Sequence, residues 1–259
     1  MTEVQKRWVL ITGGTGKVGS QLVRALLLDG WCVAFTSARA ETGAKLVASL
    51  TAELPSAVER LVGVVSDFSK QTAAVDLIET LREQGIMPAA LVNNARSIET
   101  LRLGPDGRPT HEQWLLEFQI AVIIAHDLTI GLANEADAQL SVVVNVSSMY
   151  GVVAANPNLY AEGELSSPIH YNVAKAALIH LTKELAVRLR PKVRVNALSL
   201  GGIEGRVDTE FKERYAMLCP AGKMLSEVDV IGPIRFLLSQ DAASLVGANI
   251  PADGGWTIW

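Results

Sequence analysis

The chain has 259 residues, of which 49% are apolar and 19% charged, and its formal net charge is −4. This length and composition fit one domain with a large core, and a mildly acidic chain without a basic run is a poor binder of nucleic acid or anionic membranes. No leader-like apolar stretch precedes the first glycines, and no run of about 18 apolar residues occurs. We therefore expect a cytoplasmic protein that uses neither nucleic acid nor a membrane as a partner.

The cysteines and histidines do not indicate a metal site. The chain has two cysteines, Cys32 and Cys219, and four scattered histidines, none of them at a spacing typical of metal ligands. We expect buried, reduced thiols, which suit a reducing compartment.

Short runs rich in β-branched residues alternate along the chain with longer stretches of helical periodicity. The predicted strands are 8–12, 32–37, 61–65, 90–94, 141–147 and 193–200. The clearest predicted helices, of which the first two end at a glycine cap, are 20–30, 71–85, 112–136 and 170–186. This alternation predicts an α/β fold, a doubly wound parallel sheet with helices on both faces, in a single domain over residues 1–259.

The first predicted strand runs directly into a glycine-rich segment, "TGGTGKVG", which opens the first predicted helix. Gly13, Gly16 and Gly19 allow a tight turn, the close approach of a phosphate and close packing of the helix on the strand. The N–H groups at the start of that helix would bind a pyrophosphate. The alternative is a glycine-rich turn without a ligand; the strand–turn–helix context favours a dinucleotide-binding loop.

The residues after the second predicted strand bear on the choice of cofactor. Enzymes that use NAD commonly place a carboxylate there for the ribose hydroxyls, whereas this chain has Ser37 and Arg39 and no carboxylate before Glu41. Arg39 could bind a ribose 2′-phosphate, and Lys17 could reach the same group from the glycine loop. We therefore predict a preference for NADP over NAD; the alternative for Arg39 is a solvated charge at a helix start.

A tyrosine and a lysine lie four positions apart in the predicted helix 170–186. Tyr171 and Lys175 therefore share a helix face, where the lysine ammonium would lower the pKa of the phenol and favour proton transfer. The strand before this helix ends in "NVSS", where a serine hydroxyl would stabilise charge on a substrate oxygen. Alone, this spacing also arises by chance on helix surfaces; with the serines it predicts a site that donates a proton to a carbonyl.

The chain resembles the short-chain dehydrogenase/reductase family over essentially its whole length. The motifs that carry the resemblance occur in the family's order: "TGGTGKVG" (12–19), "SDF" (66–68), "NNAR" (93–96), "NVSS" (145–148), "YNVAK" (171–175), "VRVNALSLGGI" (193–203) and "ADGGW" (252–256). The resemblance implies a Rossmann-type fold, a nicotinamide cofactor, and hydride transfer between that cofactor and a carbonyl or alcohol. The last motif resembles the tail with which many members build tetramers, so we expect a homo-oligomer, either a tetramer or a dimer.

Carried over residue by residue, the resemblance implies a catalytic set. Ser148 would orient the substrate, Tyr171 would be the acid or base, and Lys175 would lower the tyrosine pKa and hold the nicotinamide ribose. The implied contacts with the rest of the cofactor are to the adenine from Asp67 and Phe68, to the ribose from Asn94 and Ala95, and to the carboxamide from the backbone of Ile203. The whole predicted cofactor site consists of Gly13, Thr15, Gly16, Lys17, Val18, Gly19, Ser37, Arg39, Asp67, Phe68, Asn94, Ala95, Arg96, Tyr171, Lys175, Gly201 and Ile203.

Some positions depart from the family pattern. Lys17 stands where most short members have the middle glycine, and the resulting spacing, T-G-x-x-G-x-x-G, resembles that of the longer members that act on nucleotide sugars. Ala121 stands where a catalytic asparagine is common, and nearby Gln119 is a candidate substitute.

Arg96 takes the place of the usual glycine, close to where the nicotinamide and the substrate should meet. A guanidinium buried there needs a partner. That partner would be an internal carboxylate, such as Glu99, Glu162 or Glu164, or a carboxylate or phosphate of the substrate held bidentately.

The segment 149–169 is longer than in most members and resembles that of members linked to flagellin modification and nonulosonic-acid sugars, which favours a polar, sugar-like or anionic substrate. The sequence thus predicts an oxidoreductase that transfers a hydride between NADP(H) and a small carbonyl or alcohol compound. Two alternatives stay open. One is a sugar-nucleotide epimerase or dehydratase, and the other is a cofactor-binding sensor that has lost catalysis.

Overall fold

The runs of β-branched residues form one parallel sheet in the computed structural model, which describes residues 7–104, 106–161, 167–205 and 207–259. Its strands are β1 (Trp8–Ile11), β2 (Cys32–Ser37), β3 (Leu61–Val65), β4 (Pro88–Asn93), β5 (Val142–Ser148), β6 (Arg194–Leu200) and β7 (Asn249–Ala252). Within the described residues the strand order is β3-β2-β1-β4-β5-β6-β7, and every neighbouring pair is parallel. The predicted α/β fold, a doubly wound sheet of Rossmann type, is confirmed.

Amphipathic helices connect these strands and cover the sheet. They are α1 (Lys17–Leu28), α2 (Ala40–Glu53), α3 (Ala73–Glu83), α4 (His111–Phe118), α5 (Ile124–Asn134), α6 (Ile169–Arg188), α7 (Thr209–Leu218) and α8 (Ile231–Leu238). The predicted glycine caps are confirmed, because Gly30 after α1 and Gly85 after α3 have φ of +88° and +67°, in the left-handed region that favours glycine.

Alternate residues of the strands pack into two separate cores, one on each face of the sheet. Val9 and Ile11 of β1 face the core that is shared with α1 and α8. Trp8 and Leu10 face the core that is shared with α3, α5 and the end of α6. Because both faces are buried, the strands are almost continuously apolar rather than alternating, as is typical of a parallel sheet.

The predicted helix 112–136 is present as one helical stretch with an irregular centre. A π-helical turn, Gln119–Ile123, joins α4 to α5, and Ala121 lies buried within it. The stretch His111–Asn134 is apolar and long enough to cross a membrane by composition and length alone, with a mean hydropathy of 1.6 in its most apolar window, as core helices can also be. Its buried side packs against α3 and α6. Single π turns are frequent at functional sites, which draws attention to this part of the helix.

The segment after β5 packs onto α7 and the C-terminal segment. Leu159 and Met149 form a third apolar cluster with Tyr215 and Trp256, whose rings stack with centroids 4.5 Å apart. The guanidinium of Arg214 donates to the carbonyl oxygen of Leu159 at 2.9 Å. The described part of the predicted insert is therefore a packed wall beside the carboxyl end of the sheet.

Candidate active site

A cavity of about 1160 Å³ opens at the carboxyl ends of the strands, where the loops that follow β1 through β6 meet. In doubly wound sheets ligands bind at this edge, beside the point where the strand order reverses, here between β1 and β4. The volume exceeds the roughly 300–1,000 Å³ of pockets for a single drug-sized ligand, so a dinucleotide and a small substrate fit together. Every residue of the predicted site lines this cavity except Ser37.

The glycine loop has a cradle that fits a pyrophosphate. Gly13 has a φ of +68°, and a side chain at Gly19 would collide with the Gly13 carbonyl oxygen, so the fold itself requires these two glycines. A Cβ at Gly16 would meet nothing of the protein closer than 3.4 Å, and its φ of −71° suits any residue. Gly16 lines the cavity at the N-terminus of α1, where a phosphate favours an open approach. The packing of the protein itself therefore does not require a glycine at position 16. A phosphate group bound at this position would need the space that a side chain would fill.

Side chains that directly follow β1 and β4 hold the glycine loop in place. The Thr12 hydroxyl accepts hydrogen bonds from the backbone N–H groups of Asn94 and Ala95 at 2.9 and 3.0 Å. The Asn94 amide donates to the carbonyl oxygen of Thr12 at 3.0 Å and to that of Gly13 at 3.3 Å. The predicted residues Asn94 and Ala95 thus border the cavity and also brace the loop against β4.

Lys17 does not extend toward the end of β2. Its Nζ lies 2.6 Å from Oε1 of Glu227 and donates to the carbonyl oxygen of Glu204 at 3.0 Å. Glu204 follows β6, which lies on the opposite side of β1 from β2. The structure therefore does not support the predicted contact of Lys17 with a 2′-phosphate beside Arg39, because two partners hold the ammonium on the other side. Lys17 still lines the cavity, so another contact with the cofactor stays a prediction.

The end of β2 places one predicted residue in the cavity and one behind it. Ser37 is 2% exposed, and its hydroxyl donates to the carbonyl oxygen of Arg39 at 2.8 Å and lies 2.7 Å from the Thr42 hydroxyl. The predicted cofactor contact of Ser37 is thus wrong, since the side chain braces the start of α2. Arg39 itself is exposed, lines the cavity, and forms no ion pair with a carboxylate among the described residues.

The loop after β3 brings Asp67 and Phe68 to the same end of the cavity. The hydroxyl and backbone N–H of Ser69 donate to the Asp67 carboxylate at 2.7 and 3.1 Å and lower its pKa. Phe68 is largely buried in the core beneath and also lines the cavity. Both positions fit the adenine contacts that the family resemblance implies.

A chain of buried hydrogen bonds fixes α6, the helix that carries the predicted tyrosine and lysine. The Asn93 amide donates to Oδ1 of Asn145 at 2.8 Å, and the Asn145 amide donates to the Thr182 hydroxyl at 2.9 Å. The Ser147 hydroxyl donates to the carbonyl oxygen of Lys175 at 2.9 Å. These bonds join β4 and β5 to α6 and set the helix at a defined height above the strand ends.

The predicted catalytic residues come together at the end of β5. The Ser148 hydroxyl oxygen accepts from the backbone N–H of Tyr150 at 3.2 Å, and the same hydroxyl hydrogen-bonds with the Tyr171 phenol. Burial raises the pKa of the Tyr171 phenol, while hydrogen bonding to Ser148 and the charge of Arg96 lower it. The sequence predicts that Lys175 lowers this pKa, whereas in the structure Arg96 is the cation that does so.

Lys175 lies behind the tyrosine. It is 5% exposed, its Nζ donates to the carbonyl oxygen of Val146 at 2.9 Å, and that nitrogen lies 5.7 Å from the centre of the Tyr171 ring. Burial lowers the pKa of the Lys175 ammonium to about 8, and this is the largest of the effects on it. An ammonium so placed can exchange its proton near neutral pH.

Arg96 is exposed to the cavity rather than buried. The expectation of a buried guanidinium that requires an internal partner is therefore wrong. No ion pair joins Arg96 to Glu99 or to any other carboxylate of the described residues, and the other two candidate partners, Glu162 and Glu164, lie outside those residues. A cation that has no carboxylate partner among the described residues thus borders the predicted reaction centre.

The helical stretch His111–Asn134, which packs beside α6, does not supply the predicted substitute for a catalytic asparagine. The amide of Gln119 donates to the carbonyl oxygen of Lys70 at 3.4 Å and does not line the cavity, so its predicted role as a substitute for the asparagine is wrong. Sequence reasoning passed over Glu117, which is 2% exposed and lies one helical turn before Ala121. A carboxylate within the apolar run "WLLEFQIAVII" was the signal that marked it.

Comparison with known proteins agrees with this geometry. A family model described as enoyl-(acyl carrier protein) reductase matches residues 16–257. Cyclopentanol dehydrogenase of Comamonas testosteroni is 30% identical over 268 residues, covering 99% of each chain. A short-chain dehydrogenase of Leptospira borgpetersenii, solved with bound NAD+, matches with a TM-score of 0.81 at 27% identity, covering 98% of this chain and 93% of that one.

A further relative bears on the predicted resemblance to flagellin-modification members. Post-translational flagellin modification protein A of Campylobacter coli is 35% identical over 115 residues, which are 44% of this chain and 45% of that protein. The predicted resemblance to flagellin-modification members is confirmed at this partial extent. The full-length matches decide the class: the molecule is an oxidoreductase that transfers a hydride between a nicotinamide dinucleotide and a carbonyl or alcohol, and the chain belongs to the short-chain dehydrogenase/reductase family.

Proposed function

We propose that this oxidoreductase acts in the cytoplasm, as a homo-oligomer, on a polar, sugar-like compound that carries an anionic group, and that it prefers NADP(H). The observation that carries the substrate class is Arg96, an exposed guanidinium without a described carboxylate partner beside Tyr171. A planar guanidinium binds a carboxylate or phosphate through two parallel hydrogen bonds.

The proposed chemistry divides among three side chains. A nicotinamide cofactor bound along the cavity supplies or accepts the hydride. In the direction of carbonyl reduction, Tyr171 donates its phenolic proton to the substrate oxygen, to which Ser148 donates a hydrogen bond. The Arg96 cation favours the phenolate that remains, and Lys175 places a second positive charge behind the ring. Catalysis by a positioned general acid contributes typically ~10²–10⁴-fold.

The first prediction concerns Tyr171→Phe. The ring still packs but carries no proton to donate, so we expect turnover to fall by at least ~10²-fold while cofactor affinity stays close to that of the wild type. Steady-state kinetics and a cofactor titration measure the two quantities. Tyr160→Phe, which removes a hydroxyl outside the cavity, is the matched control. Near-normal turnover of Tyr171→Phe would refute the assignment.

The proposed preference for NADP(H) depends on the charges at the end of β2. Arg39 is exposed to the cavity, and the nearest carboxylate after β2, Glu41, is paired with Lys45 at 2.6 Å. A ribose 2′-phosphate would therefore meet a cation without a competing partner. A hydrogen bond between charged groups contributes about 1.5–3 kcal/mol, roughly one to two decades in affinity.

The second prediction follows from that arrangement. Arg39→Ala should weaken NADPH binding by roughly tenfold or more and leave NADH binding unchanged, because only NADPH carries the 2′-phosphate. Fluorescence titration of both cofactors measures the affinities. Lys45→Ala removes a neighbouring cation that does not line the cavity and serves as the control. Equal affinity of the wild type for NADPH and NADH would contradict the proposal.

The third prediction tests the anionic substrate. Arg96→Lys keeps the charge but loses the planar fork, so kcat/KM should fall by roughly tenfold or more on an anionic carbonyl substrate and little on a matched neutral one. NADPH affinity should stay within about twofold of the wild type, because in this proposal the Arg96 guanidinium binds the substrate and not the cofactor. Kinetics on such substrate pairs, for example a keto acid and its amide, provide the comparison. Equal losses on both substrates would assign Arg96 a structural role.

Exposed apolar side chains on the adjacent helices α4 and α6 support the proposed homo-oligomer. Leu115 is 59% exposed on α4, and Ile169 and Val173 are exposed on the adjacent α6. At the C-terminus Trp256 is buried within the chain, whereas Ile258 and Trp259 remain largely exposed. A second copy of the chain would bury such neighbouring apolar side chains.

The fourth prediction is that light scattering at low micromolar concentration gives the mass of a dimer or tetramer. Leu115→Asp should reduce that mass, because a carboxylate in an apolar contact is strongly disfavoured. Val58→Asp makes the same change at another exposed apolar residue, in the turn after α2, and should leave the mass unchanged. A wild-type chain that stays monomeric would refute the proposal.

A further inference from the structure

Lys17 stands in the glycine loop but has its partners on another wall of the cavity. Its Nζ lies 2.6 Å from Oε1 of Glu227 and donates to the carbonyl oxygen of Glu204 at 3.0 Å. We call these two contacts the Lys17 link, and residues 201–205, which follow β6, the β6 loop. Within the part of the chain that the structure describes, no other hydrogen bond or ion pair joins the glycine loop to the β6 loop.

The Lys17 link connects two walls that the sheet keeps apart. The glycine loop follows β1 and the β6 loop follows β6, and both β4 and β5 lie between those strands in the sheet. The cavity is lined on one side by Gly13 and residues 15–19 and on another by residues 201–204. A dinucleotide bound along the cavity would therefore lie between the two walls that Lys17 joins.

The backbone on the far side is shaped to receive the ammonium. The backbone N–H of Glu204 donates to the carbonyl oxygen of Leu225 at 2.8 Å, which holds the β6 loop beside the segment that leads to α8. Glu227 comes from that segment, so Lys17 binds both of the paired backbones. Gly205 has a φ of +126°, and a side chain there would collide with the Lys17 ammonium.

The exposure of the ion pair indicates a contact that can open and close. The Lys17 side chain is 47% exposed and that of Glu227 is 30% exposed, and Glu227 does not line the cavity. Ion pairs with this exposure contribute little to stability, because water and salt compete for both charges. Such a contact can open to let a ligand pass and then form again.

We propose that the Lys17 link holds the β6 loop against a bound nicotinamide dinucleotide and thereby slows release of the cofactor. Glu227 is then a positioning residue that acts through Lys17, and the ammonium closes the cavity rather than binding the cofactor phosphates directly. This role accounts for a lysine in the glycine loop, because a long cationic side chain is needed to reach both partners. The proposal rests on the oxidoreductase class and on the glycine loop, and it is independent of the preference for NADP(H).

The decisive experiment measures release of the cofactor by stopped-flow fluorescence. The NADPH complex, and separately the NADH complex, is mixed with an excess of the oxidised cofactor. Glu227→Gln should accelerate release by roughly two- to fivefold, the effect of losing one exposed ion pair. Lys17→Met should accelerate it at least as much. The double variant should be no faster than Lys17→Met alone, because both changes break the same contact.

The sign of the Glu227→Gln effect separates this role from a direct one. If Lys17 bound the cofactor phosphates, freeing it from Glu227 would strengthen that contact and slow release. Glu53→Gln is the matched control, because it breaks an ion pair of similar exposure with Arg24, on the same helix as Lys17 but away from the cavity. This control should leave release unchanged.

Amide hydrogen exchange of the protein without cofactor gives a second readout. Peptides that contain the β6 loop should exchange roughly two- to fivefold faster in Glu227→Gln, since its backbone opens more often. Unchanged or slower release in Glu227→Gln, no increase in exchange, or equal acceleration by Glu53→Gln would each overturn the proposal. If Lys17→Met does not fold, the exposed change Glu227→Gln decides alone. Neither measurement needs a substrate, so both are decided even if the proposed substrate class fails.

Discussion

The hydrogen-bonded chain from Asn93 through Asn145 to Thr182 is the interaction on which the active site depends. It links the interior of β4 and β5 to α6, where water cannot compete and an unpaired amide would be costly. Since side chains on a parallel sheet can form such links only at one register, α6 cannot slide along the strands. Tyr171 and Lys175 therefore meet the end of β5, where Ser148 lies, without any support from a ligand.

The same sheet edge gathers charges that no single element carries. Lys175 and Arg96 bring two cations to the substrate end of the cavity. Lys17 is held toward β6 by Glu227 and Glu204, on the far side of β1 from Arg39. The cavity thus separates a cation that is already paired from cations that remain available to ligands. That separation follows from strand order, because β2 and β6 lie on opposite sides of β1.

Local sequence patterns were reliable wherever a residue's role depends on its chain neighbours. The six predicted strands and the glycine caps of α1 and α3 are present, because β-branched runs and left-handed glycines act within a few residues. The cradle at Gly13, Gly16 and Gly19 is present for the same reason, since strand, turn and helix are contiguous. By contrast, Ser37 was misassigned, because whether a side chain at a strand end faces a cavity or a helix depends on how that helix packs.

The sequence by itself determined the sheet, through the periodicity of its strands and helices, and its motifs determined the family and, through that resemblance, the assignment of Ser148, Tyr171 and Lys175. Only the tertiary structure decided where the long side chains point. Lys17 turned to partners that are about 190 to 210 positions away in the chain, and Arg96 remained exposed where a buried pair had been expected. The electrostatic energy of such groups depends on distance and burial in space, and these quantities have no local signature in a sequence.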